Sequence, residues 1–135
     1  MVKIASCIII NEEGKLLLLK RSNKVGAYKG LWSGVAGHIE EGEEPIQTAY
    51  KEIKEEIGID KNELILIKSH GPVKVLDKSE GKNYDWEIFI FLFKCEKKGK
   101  LNIDWEHSEY CWIPPFEIKN FNTVPKYEEI VLKLL

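Results

Sequence analysis

Apolar runs alternate with short polar stretches along the chain, and this alternation predicts strands joined by turns. The β-branched and apolar residues of Val2–Ile10 predict a first strand. Residues 11–14 supply turn chemistry before a second strand at 15–20, so the two form a hairpin. The segment 21–30 holds two glycines and three basic residues, which predicts a loop. Residues 31–36 predict one short strand, which an acidic turn follows.

The second half of the chain continues in strands. Residues 63–68 and 73–76 predict separate strand segments, and the polar stretch 78–83 predicts a loop. Residues 86–95 give the strongest strand pattern in the chain, which places this strand inside the sheet. Residues 109–113 predict a further short strand that two prolines end.

The most regular pattern is that of a helix over Pro45–Ile57. Pro45 suits the first helical position, and Glu43 and Glu44 lie where the helix dipole favours negative charge. Gly58 follows where a left-handed C-cap is expected. Apolar residues at helical spacing form one stripe, made of Ile46, Ala49, Tyr50, Ile53 and Ile57.

A second amphipathic helix is predicted at the end of the chain, over 125–135. Its inward-facing residues are predicted to be Ile130, Val131, Leu134 and Leu135. Strands on both sides of an internal helix, with a terminal helix, predict an α+β fold in which a mixed sheet lies between helices. The length of 135 residues fits a single domain spanning 1–135.

Composition narrows the class of protein. Hydrophobic residues make up 44% of the chain, enough for a core, and the net charge is only -2. No global basic field therefore points to duplex nucleic acid, and no apolar run is long enough to cross a membrane. Cys7, Cys95 and Cys111 show no zinc-ligand spacing, and the N-terminus lacks the parts of a signal peptide. We expect a cytoplasmic protein with reduced thiols.

The central helix carries an unfavourable cluster of charge. Glu52, Glu55 and Glu56 are spaced so that their carboxylates repel one another on one face. Glu55 and Glu56 also lie in the last turn, where the helix dipole disfavours anions. A divalent cation such as Mg²⁺ would resolve this conflict, because it prefers oxygen ligands. The alternative is a solvated acidic face with helical ion pairs such as Lys51–Glu55.

The spacing around this helix resembles the Nudix box. That pattern is Gly-x5-Glu-x7-Arg-Glu-U-x-Glu-Glu-x-Gly-U, where U is aliphatic, and residues 37–59 match it except that Lys51 replaces the arginine. The Pro-Gly-Gly run common before the box is here Val35, Ala36 and Gly37. Because the family's strand arrangement also fits the rest of the chain, we identify the whole chain as resembling the MutT-like Nudix hydrolases.

The resemblance implies a fold and an activity. The fold is an α/β/α sandwich, and the activity is metal-dependent hydrolysis of a diphosphate bond in a nucleoside diphosphate linked to another moiety. The cofactor would be Mg²⁺, with Mn²⁺ as a substitute, and the partner a small nucleotide-like substrate. Homodimers are common in the family and would be compatible with this chain.

The resemblance also assigns residues. The metal ligands would be Glu52, Glu55, Glu56 and the main-chain carbonyl of Ala36. Glu43 would be an outer carboxylate that fixes the loop and helix, and Gly37 and Gly58 would serve backbone geometry. Family members often add a glutamate from a later loop as ligand or general base. Glu106 is our first candidate for both roles and Glu109 the second, while Glu52 is also a candidate base.

Basic and aromatic residues before the box are candidates for the substrate. Arg21, Lys24 and Lys29 could contact phosphate oxygens. Four aromatic residues could stack on a base: Tyr28, Trp32, Trp86 and Trp105. For Trp32 and Trp86, packing in the core is favoured. The three histidines, His38, His70 and His107, show no metal-ligand spacing among themselves.

Three other interpretations of the sequence compete with hydrolysis. The first is a Nudix-fold module that senses nucleotides or binds protein without turnover, but a silent site has no reason to retain repelling carboxylates. The second is the prenyl diphosphate isomerase branch of the family, which is longer and uses a cysteine motif absent here. An acidic-helix protein outside the family is a third reading, and it would show no stabilisation by Mg²⁺ or Mn²⁺.

Overall fold

The computed structural model describes residues 2–79 and 81–135. The seven strands that it describes are β1 (Val2–Ile10), β2 (Leu16–Arg21), β3 (Trp32–Ser33), β4 (Val35–His38), β5 (Leu64–Ser79), β6 (Lys82–Cys95) and β7 (His107–Ile113). The two α-helices are α1 (Pro45–Ile57) and α2 (Tyr127–Leu134). Two short 3-10 helices span Lys61–Glu63 and Pro115–Asn120. None of the described helices is long and apolar enough to cross a membrane.

The seven strands form one mixed sheet. Five of them follow the order β3-β2-β1-β6-β5, while β4 pairs with β1 and β7 with β2. The β1–β6 pair is parallel and the other pairs are antiparallel. The predicted hairpin is confirmed, since Ile10 lies opposite Leu16. The prediction that residues 86–95 lie inside the sheet is also confirmed, because β6 is paired on both sides.

The sheet separates two apolar cores, as the alternation of side chains along β1 shows. Cys7 and Ile9 belong to the core under α1, whereas Ile8 belongs to the core under α2. In α1, the predicted stripe is confirmed, because Ala49, Ile53 and Ile57 are fully buried and Ile46 and Tyr50 pack against the same core. The helices therefore cover opposite faces, which confirms the α/β/α sandwich.

The single strand predicted at 31–36 is wrong. Two short strands, β3 and β4, are interrupted at Gly34. A Cβ at Gly34 would overlap the carbonyl oxygen of Cys7 and lie 2.5 Å from the hydroxyl of Tyr127. The chain therefore changes partner here, from β2 to β1, at a point where no side chain fits.

The loop predicted at 78–83 is wrong for residues 78–79 and 82–83, which belong to strands, while residue 80 lies outside the described residues. The division of 63–76 into two strands is also wrong. Strand β5 is continuous from Leu64 to Ser79, with register shifts, and pairs with β6 as far as Ser79 opposite Lys82. Near this end of the hairpin, the polar side chains of Lys78, Lys82 and Asn83 are exposed to solvent. Polarity there reports exposure and does not indicate a loop.

The terminal helix is shorter than predicted. It begins at Tyr127, after Lys126 in a left-handed conformation, and ends at Leu134. Val131 and Leu134 are buried as predicted, but Leu135 is 44% exposed because the helix has already ended. The buried residue that the pattern missed is Tyr127, which is 5% exposed.

Candidate active site

Helix α1 contributes two glutamates, Glu52 and Glu55, to the wall of a cavity. A capping box between Glu44 and Gln47 begins the helix, and Gly58 ends it with a φ of 72° and a hydrogen bond to the carbonyl of Lys54. Because the apolar stripe is fixed against the sheet, Glu52 becomes half-buried and Glu56 fully buried. Both bounds of this helix agree with the prediction from sequence.

The loop before α1 is fixed by Glu43. Its Oε2 accepts from Lys51 Nζ at 2.8 Å, and its Oε1 accepts from Thr48 Oγ1 and from the amide of Glu40, each at 3.0 Å. The partner of Lys51 is therefore Glu43, and the helical pair with Glu55 is replaced by this bond. Lys51 supplies the charge that the resemblance assigns to an arginine, and it tethers the loop to the helix.

Glu106 is held in place by backbone contacts on both sides. Its amide donates to Asp104 Oδ1 at 3.0 Å, and its carbonyl accepts from the amide of Ser22 at 2.8 Å. Ser22 Oγ donates to the carbonyl of Trp105 at 2.7 Å, and the amide of Asp104 donates to the carbonyl of Glu56 at 3.0 Å. The loop that carries Glu106 is thus joined to the end of β2 and to the end of α1.

These elements bring three carboxylates together. One oxygen from each of Glu52, Glu56 and Glu106 lies within 4.8 Å of the others. Glu55 is exposed and lines the same cavity without joining this group of three. Ala36 lies on β4 opposite Ser6 and also lines the cavity. We refer to Glu52, Glu56 and Glu106 as the carboxylate cluster.

The electrostatics of the carboxylate cluster favour protonation when no cation is bound. Burial raises the pKa of Glu52, and it raises the pKa of Glu56 well above its usual value, with a further contribution from the charge of Glu106. The pKa of Glu106 is raised to about 7 by burial and then by the charge of Asp104. A positive ion would reverse these effects, because it stabilises the charged forms.

On its buried side, the carboxylate cluster contacts His107 through Glu56. Glu56 Oε1 lies 2.7 Å from His107 Nε2, and both side chains are 1% exposed. Burial, followed by the charge of Arg21, lowers the pKa of His107 to about 4. Since the pKa shifts of both partners favour their uncharged forms, this contact is a hydrogen bond rather than an ion pair when no cation is bound.

The residues of the cluster fit a divalent cation. Glu56 Oε2 is buried and has no hydrogen-bond partner within the described part of the chain. A buried carboxylate oxygen without a partner costs free energy, and a cation ligated there would remove that cost. Carboxylate oxygens are the ligands that Mg²⁺ and Mn²⁺ prefer. Glu52, Glu56 and Glu106 are therefore able to hold such an ion.

Gly37 makes room for Glu52. The φ of Gly37 lies outside the left-handed range, so its role is close approach rather than turn geometry. A Cβ at this position would overlap Cγ and Cδ of Glu52 and lie 2.6 Å from its Oε1. Gly58, by contrast, adopts a positive φ and serves the turn, as predicted.

We expect Gly37→Ala to displace the carboxylate of Glu52 and to lower kcat/KM by about 100-fold, the cost of a misplacement of about 1 Å. The thermal midpoint should fall by a few degrees, since overpacking costs about 1–3 kcal/mol. Steady-state kinetics and thermal melting check both effects. Gly14→Asn is the control, because its Cβ would enter open space and asparagine tolerates a positive φ. Equal rates in the two variants would contradict this role of Gly37.

The carboxylate cluster opens into a cavity of about 540 Å³. Two predicted substrate residues line it, Arg21 and Tyr28. Arg21 Nε donates to the carbonyl of Ala27 at 2.9 Å, which closes the loop that follows β2. The hydroxyl of Tyr28 donates to Asp77 at 2.9 Å and accepts from Trp86 Nε1 at 3.3 Å, so the loop is attached to the β5–β6 hairpin.

Other predicted residues lie elsewhere. Lys24 and Lys29 are exposed on the same loop and are not among the residues that line the cavity. Glu109 is outside the carboxylate cluster, since its side chain is 59% exposed and lies 3.9 Å from Lys20. Trp32 packs edge-on against Phe121, in the core under α2, as favoured from sequence.

Two of the aromatic candidates line the cavity. Trp86 stacks on Tyr84 with a centroid distance of 4.9 Å and forms part of the wall, where packing alone was favoured. Trp105 lies at the rim and is 59% exposed.

Sequence reasoning assigned no role to His107 or Asp104. His107 contacts a residue 51 positions earlier in the chain, and local patterns carry no information about such contacts. The one available signal was position, because both residues flank the candidate Glu106.

Comparison with known proteins identifies relatives in sequence and solved structures with the same fold. A nucleoside triphosphatase, NudI of Escherichia coli O139:H28, is 24% identical over 123 residues, which cover 86% of this chain and 84% of that protein. An Ap4A hydrolase of C. elegans has a TM-score of 0.80 at 22% identity, covering 99% of this chain and 95% of that one. The MutT protein of Methanosarcina mazei Go1 has a TM-score of 0.74 at 23% identity, covering 98% and 91%. The profile of the NUDIX domain matches residues 2–134, so the chain belongs to the NUDIX family and is a Nudix-type pyrophosphohydrolase.

Proposed function

We propose that this protein hydrolyses a diphosphate bond in a nucleoside diphosphate linked to another moiety, with Mg²⁺ as cofactor and Mn²⁺ as a substitute. The observation that carries the proposal is the carboxylate cluster, in which three carboxylates meet within 4.8 Å beside a cavity of about 540 Å³. One of their oxygens, Glu56 Oε2, is buried and has no hydrogen-bond partner among the described residues. This arrangement is costly without a cation and favourable with one.

The residues proposed to hold the ion are Glu52, Glu56 and Glu106, with the exposed Glu55 and the main-chain carbonyl of Ala36 completing the set. A divalent cation held by these residues would supply positive charge to the diphosphate oxygens and would make a nearby water more acidic. Glu55 and Ala36 lie in the wall of the same cavity, which supports their inclusion.

Glu106 is our first choice for the general base, with Glu52 second. Glu56 is engaged with His107, and Glu52 is enclosed against Gly37. Glu106 approaches from a separate loop, which its backbone contacts hold firmly. It would accept a proton from the attacking water as the new bond from the water oxygen to phosphorus forms and the bond from that phosphorus to the bridging oxygen breaks. The products would be a monophosphate and the other phosphorylated half of the substrate. Arg21, in the cavity wall, would contact phosphate oxygens.

The remainder of the cavity supports a substrate with a flat organic group. Beside the carboxylates, its walls include Tyr28, Trp86 and apolar side chains of the sheet: Ile4, Val75 and Ile88. Such a surface favours an aromatic ring, and stacking on a base contributes about 1–3 kcal/mol. The names of the relatives, a nucleoside triphosphatase, an Ap4A hydrolase and the E. coli dihydroneopterin triphosphate pyrophosphohydrolase, support a panel of nucleotide-like substrates.

The function is tested by phosphate and monophosphate release from nucleoside triphosphates, dinucleoside polyphosphates, nucleotide sugars and oxidised nucleotides. Each substrate is assayed with Mg²⁺, with EDTA, and with Mn²⁺ added back after EDTA. We expect cleavage of at least one class, lost in EDTA and restored by either cation. Protein carrying Glu56→Gln and purified in parallel controls for contaminating phosphatases.

A folded protein that binds Mn²⁺ but cleaves no member of the panel would contradict the proposal. Tight binding of a nucleotide without turnover would instead indicate the sensing module. Cleavage that persists in EDTA would contradict the role of the cation while leaving the hydrolase.

A further inference from the structure

His107 Nε2 lies 2.7 Å from Glu56 Oε1, and the proposed cleavage of a diphosphate assigns no step to this histidine. We propose that His107 is a positioning residue, which fixes the carboxylate of Glu56 so that one oxygen remains for the cation. This inference rests on the proposed function, in which Glu56 is a metal ligand. His107 lies at the start of β7 and Glu56 in the last turn of α1, so the contact joins two elements.

The two carboxylate oxygens of Glu56 have different surroundings. Oε1 lies 2.7 Å from His107 Nε2, whereas Oε2 is buried with no partner among the described residues. An ionised carboxylate can only accept, so with a cation bound the imidazole Nε2–H is the donor. The side chain of Glu56 is therefore held through one oxygen, and the other is the atom available to an ion.

The burial of His107 supports a dedicated role. Its side chain is 1% exposed, and Nδ1 has no hydrogen-bond partner in the described part of the chain. A buried polar atom without a partner costs about 1–3 kcal/mol, so an apolar residue would serve packing better at this position. The one side-chain hydrogen bond described for the ring is the bond to Glu56, which is the gain that offsets this cost.

The backbone fixes the ring relative to Glu106. The amide of His107 donates to the carbonyl of Asp104 at 3.3 Å, and His107 lies opposite Arg21 in the β2–β7 pair. The adjacent residue Glu106 belongs to the carboxylate cluster itself. One short segment thus supplies a carboxylate to the cluster directly and orients a second one through His107.

The test compares His107→Leu with His107→Gln in the full chain. Leucine removes the donor and fills the buried position with an apolar side chain. Glutamine can present an amide N–H near the position of Nε2. We expect Mn²⁺ affinity, measured by isothermal titration calorimetry, to fall about 10–100-fold in His107→Leu, the usual loss when the partner of a metal ligand is removed. His107→Gln should stay within about threefold of the parent, which a merely structural role would not predict.

Melting in EDTA verifies that each variant folds, and His107→Phe replaces His107→Leu if the latter does not. His70→Leu is the matched control, because His70 lies on β5 and is not among the residues that line the 540 Å³ cavity. Parental Mn²⁺ affinity in His107→Leu, or equal losses in the leucine and glutamine variants, would overturn the inference.

If the parent binds no Mn²⁺ and cleaves nothing, the proposed function fails. If the parent binds and cleaves and the leucine variant binds equally well, only the role of His107 fails.

Discussion

Glu56→Gln is expected to abolish cation-dependent turnover while leaving the fold intact. Glu56 is the most buried member of the carboxylate cluster, and no described residue donates a hydrogen bond to its Oε2, which we propose as a ligand of the cation. Removal of a residue that hydrogen-bonds to a metal ligand lowers metal affinity or activity about 10–100-fold. Removal of the ligand itself should therefore lower kcat/KM by more than about 100-fold. Steady-state rates at saturating Mg²⁺ measure this loss.

The same variant should be more stable than the parent when no cation is present. Burial and the charge of Glu106 raise the pKa of Glu56, which shows that its charged form is disfavoured in the folded protein. A neutral amide removes that penalty, so the thermal midpoint in EDTA should rise, by about 3 °C for each kcal/mol. With saturating Mg²⁺ the order should reverse, because only the parent gains the full stabilisation by the bound ion.

Glu41→Gln is the control for both measurements. It makes the same change of charge in the exposed turn before α1. Its rates and its midpoints, with and without Mg²⁺, should equal those of the parent. A Glu56→Gln variant with a near-parental rate would remove Glu56 from the proposed ligands, and a lower midpoint in EDTA would show that its charge does not oppose folding.

The residues of α1 could be predicted from sequence because the signals are local. Pro45 fixes the first turn, Gly58 adopts the left-handed cap, and the apolar stripe selects the buried face. The i, i+4 spacing also places Glu52 and Glu56 on one side of the helix, one turn apart. Two of the three members of the carboxylate cluster were therefore predictable from the spacing of residues along one helix.

The rest of the site depends on contacts distant in sequence. Asp104 and His107 form hydrogen bonds to Glu56, and Glu106 accepts one from Ser22 after β2. No periodicity of the sequence encodes these bonds. The β5–β6 hairpin shows a related limit. Its polar end looks like a loop, yet backbone pairing continues there to Lys82 because exposed strands do not require apolar side chains.

Lys51 shows how a departure from the family pattern is accommodated. An arginine could contact a carboxylate with two nitrogens, whereas lysine offers one point of contact. Here one contact suffices, because only Oε2 of Glu43 remains for Lys51 once Thr48 and the amide of Glu40 bond to Oε1. The loop before α1 is consequently fixed without a planar fork, and the absence of a side chain at Gly37 leaves the space that Glu52 occupies.

Glu106→Gln is expected to lower kcat by about 10²–10⁴-fold, the range of general base catalysis. Glutamine preserves the size of the side chain, and the bonds to Asp104 and Ser22 involve only the backbone of residue 106, so the loop should keep its position. If Glu106 serves mainly as base, Mn²⁺ affinity should fall less than kcat does. Measurement of kcat and of Mn²⁺ binding by calorimetry separates the two roles.

Glu109→Gln discriminates between the two glutamates that sequence alone left open. The two residues are three positions apart, but Glu109 is 59% exposed, lies near Lys20, and is not part of the carboxylate cluster. Its replacement should leave kcat within about twofold, because an exposed pair of charges contributes little. A large loss in Glu109→Gln with a near-parental Glu106→Gln would transfer the role of base to Glu109 and would require the loop at 104–106 to rearrange when substrate binds. Small effects in both variants would instead leave Glu52 as the base, since it is the remaining half-buried carboxylate that lines the cavity.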